Sequence, residues 1–356
     1  MHSLKPMPGG FLLDYVIPMI IVVAVSVLLF GKAVLLADPK SDTGNTFYSM
    51  TEGIDDYYEF KTAWKPRLFS NVLASVTIRA SNWILAKTAV PMVEQPFDLV
   101  IGSWVSGWFA LTSTFLLWTF KRRSVFYVFG LYAGISYGYI TRLEWAERVY
   151  PWDMPALFFF TLFVIFFIQK KYWPLLFMIP LGTGFKETAM ILCLGFLFAD
   201  LTWQKRLSFL AAALGLSFLI KTGIDIYTHA PLFFTMETRM GGNKAFGYYF
   251  WDNLKGFVSV FHCLINAGTL LVFYLLPSGN RNILYLKLIS IPFVLGIVSF
   301  ANAGEYRIWF ELLPFSLYAM DVVIYGDPLK SVQVPTSDAV FDPLREEHGH
   351  GAAHGM

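Results

Sequence analysis

The chain has 356 residues, of which 56% are hydrophobic, 18% aromatic and only 15% charged, with a mean hydropathy of +0.54. Soluble globular chains carry roughly 25% charged residues. Here the apolar residues gather in long blocks between short charged loops, which excludes a soluble enzyme, a disordered chain and a disulfide scaffold. The formal net charge of +2 excludes little; the placement of the charges carries the information.

The blocks predict an all-α polytopic membrane protein, because inside hydrocarbon every backbone polar group needs a partner within its own segment. A β-barrel fits poorly, since its strands would alternate instead of running apolar for about 20 residues. In chain order the spans fall near 11–36, 97–120, 124–140, 155–169, 172–185, 188–201, 207–226, 256–276, 284–301 and 307–325, about ten in all. The first block, Phe11 to Ala37, is too long for the apolar part of a signal peptide and lacks an A-x-A site, so it is read as an uncleaved signal anchor. The stretch 65–92 carries Lys65, Arg67, Arg79 and Lys87 among Leu68, Phe69, Val72, Leu73, Val76 and Ile84, a spacing that suits a helix lying in the interface plane. The pair 172–185 and 188–201 is short for full spans and reads as a hairpin of broken helices joined at Lys186-Glu187.

Orientation follows the basic clusters. Lys121-Arg122-Arg123, Lys170-Lys171, Lys205-Arg206 and Arg281 fall on one side if 65–92 does not cross. Both termini are then cytoplasmic, and 38–96, 141–154, 227–255 and 302–306 are external. Residues 1–325 form one integral membrane domain whose first external loop, 38–96, contains the interface helix. Residues 326–356 form a flexible cytoplasmic tail. The external segments hold most of the carboxylates, so chemistry or recognition belongs on that face. The two cysteines, Cys193 and Cys263, lie in apolar blocks and form no CxxC pair, which indicates neither a disulfide framework nor a zinc site.

Several charged residues sit where a membrane disfavours them. Lys186 and Glu187 stand between two apolar arms. They either cap a hairpin at the outer interface, or Lys186 lines an outer-leaflet cavity and holds an anion such as a lipid phosphate. Asp55-Asp56 is able to supply a general base or hold a divalent cation, or is a solvated acidic turn at a helix start. Asp153, just ahead of Met154-Pro155, is a carboxylate at the mouth of a span, suited to sugar or cation contact, among Trp145, Tyr150 and Trp152 that also suit a membrane belt. Arg307 either forms an i,i+4 salt bridge with Glu311 or points its fork at a phosphate. The tail histidines His348, His350 and His354 have nothing to fix a metal geometry, and His229 and His262 are isolated.

Taken together, the acidic pair in a long external loop, Lys-Pro-Arg-Leu at 65–68, Trp-Asp-Met-Pro at 152–155, Lys-Glu-Thr-Ala at 186–189 and Glu-Tyr-Arg-Ile-Trp-Phe-Glu-Leu-Leu-Pro at 305–314 resemble the multi-spanning GT-C glycosyltransferases, particularly their bacterial members. The resemblance runs over roughly residues 11–325 as short scattered motifs. It implies sugar transfer from a polyprenyl-phosphate donor to an acceptor on the extracytoplasmic face of a bacterial inner membrane. It implies Asp55 or Asp56 as base or metal ligand. Lys186 and Arg307, with Arg67, would hold the lipid phosphate, and Asp153 and Glu187 would lie in the substrate site. A divalent cation is compatible with the acidic pair, and metal dependence stays open. The partners implied are the lipid-linked donor and membrane lipids, with no nucleic acid. Two other readings stay open: a non-catalytic subunit of the same fold in a larger membrane complex, and a transporter or flippase for an anionic lipid or solute. No repeat of fixed period is visible, which weighs against an inverted-repeat transporter.

Overall fold

The run Asp153–Ile168 (DMPALFFFTLFVIFFI) has no polar face, and a helix that is apolar all round must be surrounded by protein or by lipid. In the computed structural model, which describes residues 8–36, 67–88, 96–140, 150–228, 269–300 and 306–328, it is surrounded by protein. Nearly every residue of this helix is buried.

The described residues are all helical, without strands. After a short turn at Pro8–Phe11 and a π-helical stretch Leu12–Val16, the chain forms α1 (Ile17–Leu36), α2 (Leu68–Thr88), α3 (Pro96–Phe120), α4 (Ser124–Ile140), α5 (Asp153–Ile168) and α6 (Tyr172–Phe185). A 3₁₀ helix, Glu187–Phe198, follows. Then come α7 (Trp203–Tyr227), α8 (Thr269–Leu275), α9 (Arg281–Phe300), a second 3₁₀ helix, Tyr306–Leu312, and α10 (Leu313–Tyr325). The central α5 packs on α3, α6, α10 and the 3₁₀ helices Glu187–Phe198 and Tyr306–Leu312, while α1 packs on α3 and α4.

Of the ten spans expected, three of the described helices are long and apolar enough to cross a membrane: Leu12–Gly31, Trp203–Tyr227 and Arg281–Val298. Asp153–Ile168 and Glu187–Phe198 are apolar but shorter. The expected span at 188–201 is 3₁₀, not α, and at roughly 2.0 Å per residue its twelve residues reach about 24 Å. The expected span at 307–325 is divided at Leu312–Leu313 between 3₁₀ and α geometry. Of the span expected at 256–276, residues 256–268 lie outside the described residues.

Close approaches hold these helices together where the sequence supplies no side chain. A Cβ on Gly130 would lie 2.3 Å from Leu317, and one on Gly134 would lie 2.9 Å from Leu313, so α4 and α10 meet along a small-xxx-small stripe. Ser106 Oγ donates to the Ser26 carbonyl at 2.8 Å across the α1–α3 contact.

The α2 helix is inside out relative to a soluble helix. Its buried side is Ser70, Asn71, Ala74 and Ser75, and its exposed side includes Leu73, Val76, Trp83 and Ile84. Arg79 and Lys87 are exposed as well.

One end of the bundle gathers the basic clusters. Arg122 pairs with Asp14 at 3.6 Å, and Arg123 donates to the carbonyls of Gly326 and Tyr325 at 2.9 and 3.1 Å. Asn280 donates to Asp327 at 3.1 Å, and Lys170 pairs with Asp200 at 2.5 Å. Two helices close there on lysines in the left-handed region, Lys121 (φ 50°) and Lys170 (φ 57°), and α10 closes on Gly326 (φ 76°). At the end of α5, Lys171 N–H bonds to Phe166 O and Lys170 N–H to Phe167 O. This is a Schellman stop with lysine where glycine is usual, and the ammonium suits the negative end of the helix dipole.

Candidate functional site

The opposite end of the bundle holds four of the residues singled out by the sequence, Arg67, Asp153, Lys186 and Glu187. Its centre is the joint between α6 and the long 3₁₀ helix. Lys186 N–H bonds to Gly182 O at 2.8 Å and ends α6. Lys186 itself is extended (φ −154°, ψ 128°), and its carbonyl accepts from Ala189 N–H as the next helix begins. The break turns the Lys186 side chain inward, against the mouth of α5 and the second 3₁₀ helix.

There Lys186 Nζ lies 3.3 Å from Asp153 Oδ1 and 2.6 Å from Glu311 Oε1. Thr188 Oγ1 donates to Glu311 Oε2 at 2.6 Å. Asp153 is the first residue of α5, where a carboxylate is favoured by the helix dipole, and its Oδ2 accepts from Tyr150 N–H at 3.4 Å. Pro155 lies in the same first turn, where its missing N–H costs nothing. Lys186, Asp153 and Glu311 are 4%, 2% and 1% exposed.

Beside this triad a second pair is formed by Arg67 and Glu187. Arg67 Nε and Nη2 donate to the two carboxylate oxygens of Glu187 at 3.1 and 2.8 Å, the two-pronged geometry that guanidinium permits and ammonium does not. The guanidinium carbon also lies 4.3 Å from the centre of the Trp152 ring, which stacks on Tyr150 at 4.8 Å. The loop that carries Trp152 is fixed by Trp104, whose Nε1–H donates to Pro151 O at 3.0 Å.

Two contacts dock the start of α2 on the end of α6. Ser70 Oγ donates to Phe185 O at 3.1 Å. Phe69 covers Gly184, where a Cβ would come within 2.2 Å of the ring. Phe185 in turn meets Phe69, Trp108 and Phe159 with ring centres 5.9, 5.7 and 5.1 Å away. An aromatic wall therefore backs the ionic cluster on one side.

Four of the seven residues singled out from the sequence, Arg67, Asp153, Lys186 and Glu187, thus meet in one place. Arg307 lies on the second 3₁₀ helix with Glu311, and the description there covers its backbone and not its side chain. Asp55 and Asp56 lie outside the described residues, as do Glu305, Arg142, Glu144, Glu147, Arg148, Trp145 and the histidines of the tail.

The geometry decides between the two readings of how Lys186 is placed. Lys186 does not snorkel to the surface; its ammonium is enclosed by carboxylates. Glu311, for which an i,i+4 bridge to Arg307 is one of two readings from the sequence, pairs with Lys186 and accepts from Thr188, and the Arg307 side chain lies outside the described residues. Glu311, Thr188 and Trp152 are the cluster members that sequence spacing did not bring forward as site residues. The signal available for Glu311 was a carboxylate followed by two leucines and a proline, and this marks a helix start without naming a partner.

The cluster as described contains two cations and three carboxylates. Lys186 is already engaged by two carboxylates, so an anion seated directly on it would meet like charge. Among the described residues no group of three or more His, Cys, Asp and Glu is placed to hold a metal ion. Compared with protein-family models, with curated proteins and with solved structures, the chain matches none.

Proposed function

We propose that this chain is an integral membrane glycosyltransferase of GT-C type, moving a sugar from a polyprenyl-phosphate donor to an acceptor at the extracytoplasmic face. One observation carries the reading. The segments Lys-Pro-Arg-Leu, Trp-Asp-Met-Pro, Lys-Glu-Thr-Ala and the Tyr306–Leu312 helix, scattered over some 245 residues of sequence, meet in a single buried ionic cluster at one end of the bundle. The membrane part is supported by the exposed apolar surface. The windows of α1 and α7 long and apolar enough to cross a membrane are only 28% and 17% buried, an arrangement that water penalises and hydrocarbon does not.

In this reading Lys186, Asp153, Glu311, Arg67 and Glu187 are positioning residues. They fix the α6 break, the start of α5 and the second 3₁₀ helix against one another, and so set where Arg307 is presented. The chemistry falls to the first external loop. A carboxylate of Asp55 or Asp56 takes the proton of the acceptor hydroxyl as its oxygen bonds to the anomeric carbon. The bond from that carbon to the phosphate oxygen breaks, and polyprenyl phosphate leaves with the electron pair. Arg307 is the cation assigned to the leaving phosphate, where one preorganised donor contributes about 3 kcal/mol.

The test is transfer from a polyprenyl-phosphate sugar by the purified chain in proteoliposomes. Asp55→Asn/Asp56→Asn should lower the rate about a hundredfold or more; equal rates overturn the catalytic assignment. A second reading, a non-catalytic subunit of a membrane complex, is favoured by one specific observation: Lys186 and Arg67 already have carboxylate partners. Partners copurifying in fixed stoichiometry, with no transfer by the wild type, would select it.

A further inference from the structure

The basic end of the bundle has no part in that chemistry, and its surface has a distinct composition. Three lysines stand within three residues of three tryptophans: Trp118 and Lys121 at the end of α3, Lys171 and Trp173 at the start of α6, and Trp203 and Lys205 at the start of α7. The tryptophans are 75%, 65% and 61% exposed, and Lys121, Lys171 and Lys205 are exposed as well. Among the described residues none of the three lysines makes an ion pair, whereas their neighbours Arg122, Arg123 and Lys170 do. Trp173 meets Phe209 of α7 with ring centres 5.1 Å apart, so the α6 and α7 couples lie side by side. Just behind them Arg206 is turned inward, donating to the carbonyls of Leu201 and Leu197 at 2.9 and 3.1 Å.

This separation of duties is informative. The arginines and Lys170 tie helix ends together, and three lysines are left facing outward, each beside an exposed indole. An indole is favoured at the boundary between hydrocarbon and headgroups. A lysine at that level gains about 1 kcal/mol from an anionic leaflet. A surface that needed only to meet water would not require three exposed tryptophans.

We propose that the surface formed by Lys171, Trp173, Trp203 and Lys205 is a binding surface for the phosphates of anionic phospholipids, with Trp118 and Lys121 a further couple of the same kind at that end of the bundle. The inference rests on the membrane part of the reading above and is independent of sugar transfer. Charge complementarity selects anionic over zwitterionic lipid, and the paired indoles select a bilayer over an acidic protein.

The test uses the full chain in nanodiscs of phosphatidylcholine mixed with phosphatidylglycerol, with the lipids retained after detergent extraction identified by native mass spectrometry. The wild type should retain phosphatidylglycerol in preference to phosphatidylcholine. Lys171→Gln/Lys205→Gln should reduce that preference about fivefold per lysine. Arg79→Gln/Lys87→Gln, which removes the same charge from α2, should leave it unchanged. Equal enrichment in the wild type and the Lys171/Lys205 variant overturns the proposal, as does a wild type with no preference. Salt-sensitive capture of poly-glutamate by the detergent-solubilised chain, without any lipid preference, assigns the surface to a protein partner and also overturns it. Because the readout is lipid retention, a chain that binds phosphatidylglycerol and transfers no sugar would refute the glycosyltransferase reading alone.

Discussion

At one end of the bundle Lys186, Asp153 and Glu311 are enclosed by protein and bond one another across three elements far apart in the chain. At the other end the side chains of Lys170 and Asp200 form a pair at 2.5 Å while remaining 65% and 70% exposed. The two pairings look alike on a list of distances and differ in what surrounds them. Buried charges depend on their partners, because removal of one strands the others in a medium of low dielectric constant. Exposed charges are hydrated with or without a partner, and a surface pair contributes little to stability. The comparison predicts a steep gradient of mutational effect from the first end to the second.

The largest effect is expected at Lys186. Lys186→Met removes the buried cation that Asp153 and Glu311 share, and should cost about 3–5 kcal/mol of stability. Denaturation of the detergent-solubilised chain measures this. Lys186→Met combined with Asp153→Asn and Glu311→Gln should recover part of the loss, since the three charges of the triad are then removed together. If the triple variant is as unstable as the single one, packing at the α6 break and not charge balance is the cause.

Next comes the docking of α2. Gly184→Ala places a methyl group where Phe69 lies, and Phe69 is held between Phe185 and the residues around it. Overpacking of this kind costs about 1–3 kcal/mol, and it should also loosen the Arg67–Glu187 contact. Arg67→Lys retains the charge and loses both the fork and the stacking on Trp152, for an expected cost of about 1–2 kcal/mol. A double-mutant cycle with Glu187→Gln separates the pair from the Trp152 contact: the coupling with Glu187 should fall short of the whole Arg67 effect.

How much of this was legible in the sequence varied with the range of the interaction. The helices were legible because they follow from runs of apolar residues, and the break at Lys186-Glu187 was legible because two charges between apolar arms fit nothing else. The boundaries of α3, α4 and α6 lie within a residue of those expected. The 3₁₀ character of Glu187–Phe198 and Tyr306–Leu312 was not legible, since their composition is as helical and apolar as that of an α-helix. Nor did spacing show that Glu311 meets Lys186, 125 residues earlier in the chain. The inside-out face of α2 was half legible. Its apolar stripe was read from the spacing, but only packing shows that Ser70, Asn71, Ala74 and Ser75 form the side turned toward the bundle. Burial also separated residues that spacing treated alike: Lys170 and Lys186 both sit next to a second charged residue in the sequence, and only one of them is enclosed.

The smallest effects belong to the exposed end and test the comparison from its weak side. Lys170 holds a left-handed backbone conformation at φ 57° that costs a residue with a Cβ roughly 1 kcal/mol. Lys170→Gly relieves that strain and gives up only an exposed pair, so the variant should be as stable as the wild type or gain up to about 1 kcal/mol. The pair should still be visible through pH. The ammonium of Lys170 holds the Asp200 carboxyl below its ordinary value, and Asp200 in turn raises Lys170 above the usual lysine range. A carboxylate lowered in the folded state stabilises the fold above its unfolded pKa, near 3.9, and this contribution fades as pH falls through the depressed value. The Lys170 contribution is present below the ordinary lysine pKa and fades as pH rises through the raised one. The difference in melting temperature between the wild type and Asp200→Asn should therefore be small and flat through neutral pH and shrink at both extremes. A difference with that profile but matching the Lys186→Met loss in size would show that the outer pair is as dependent on its partner as the enclosed triad, and the contrast between the two ends would not hold.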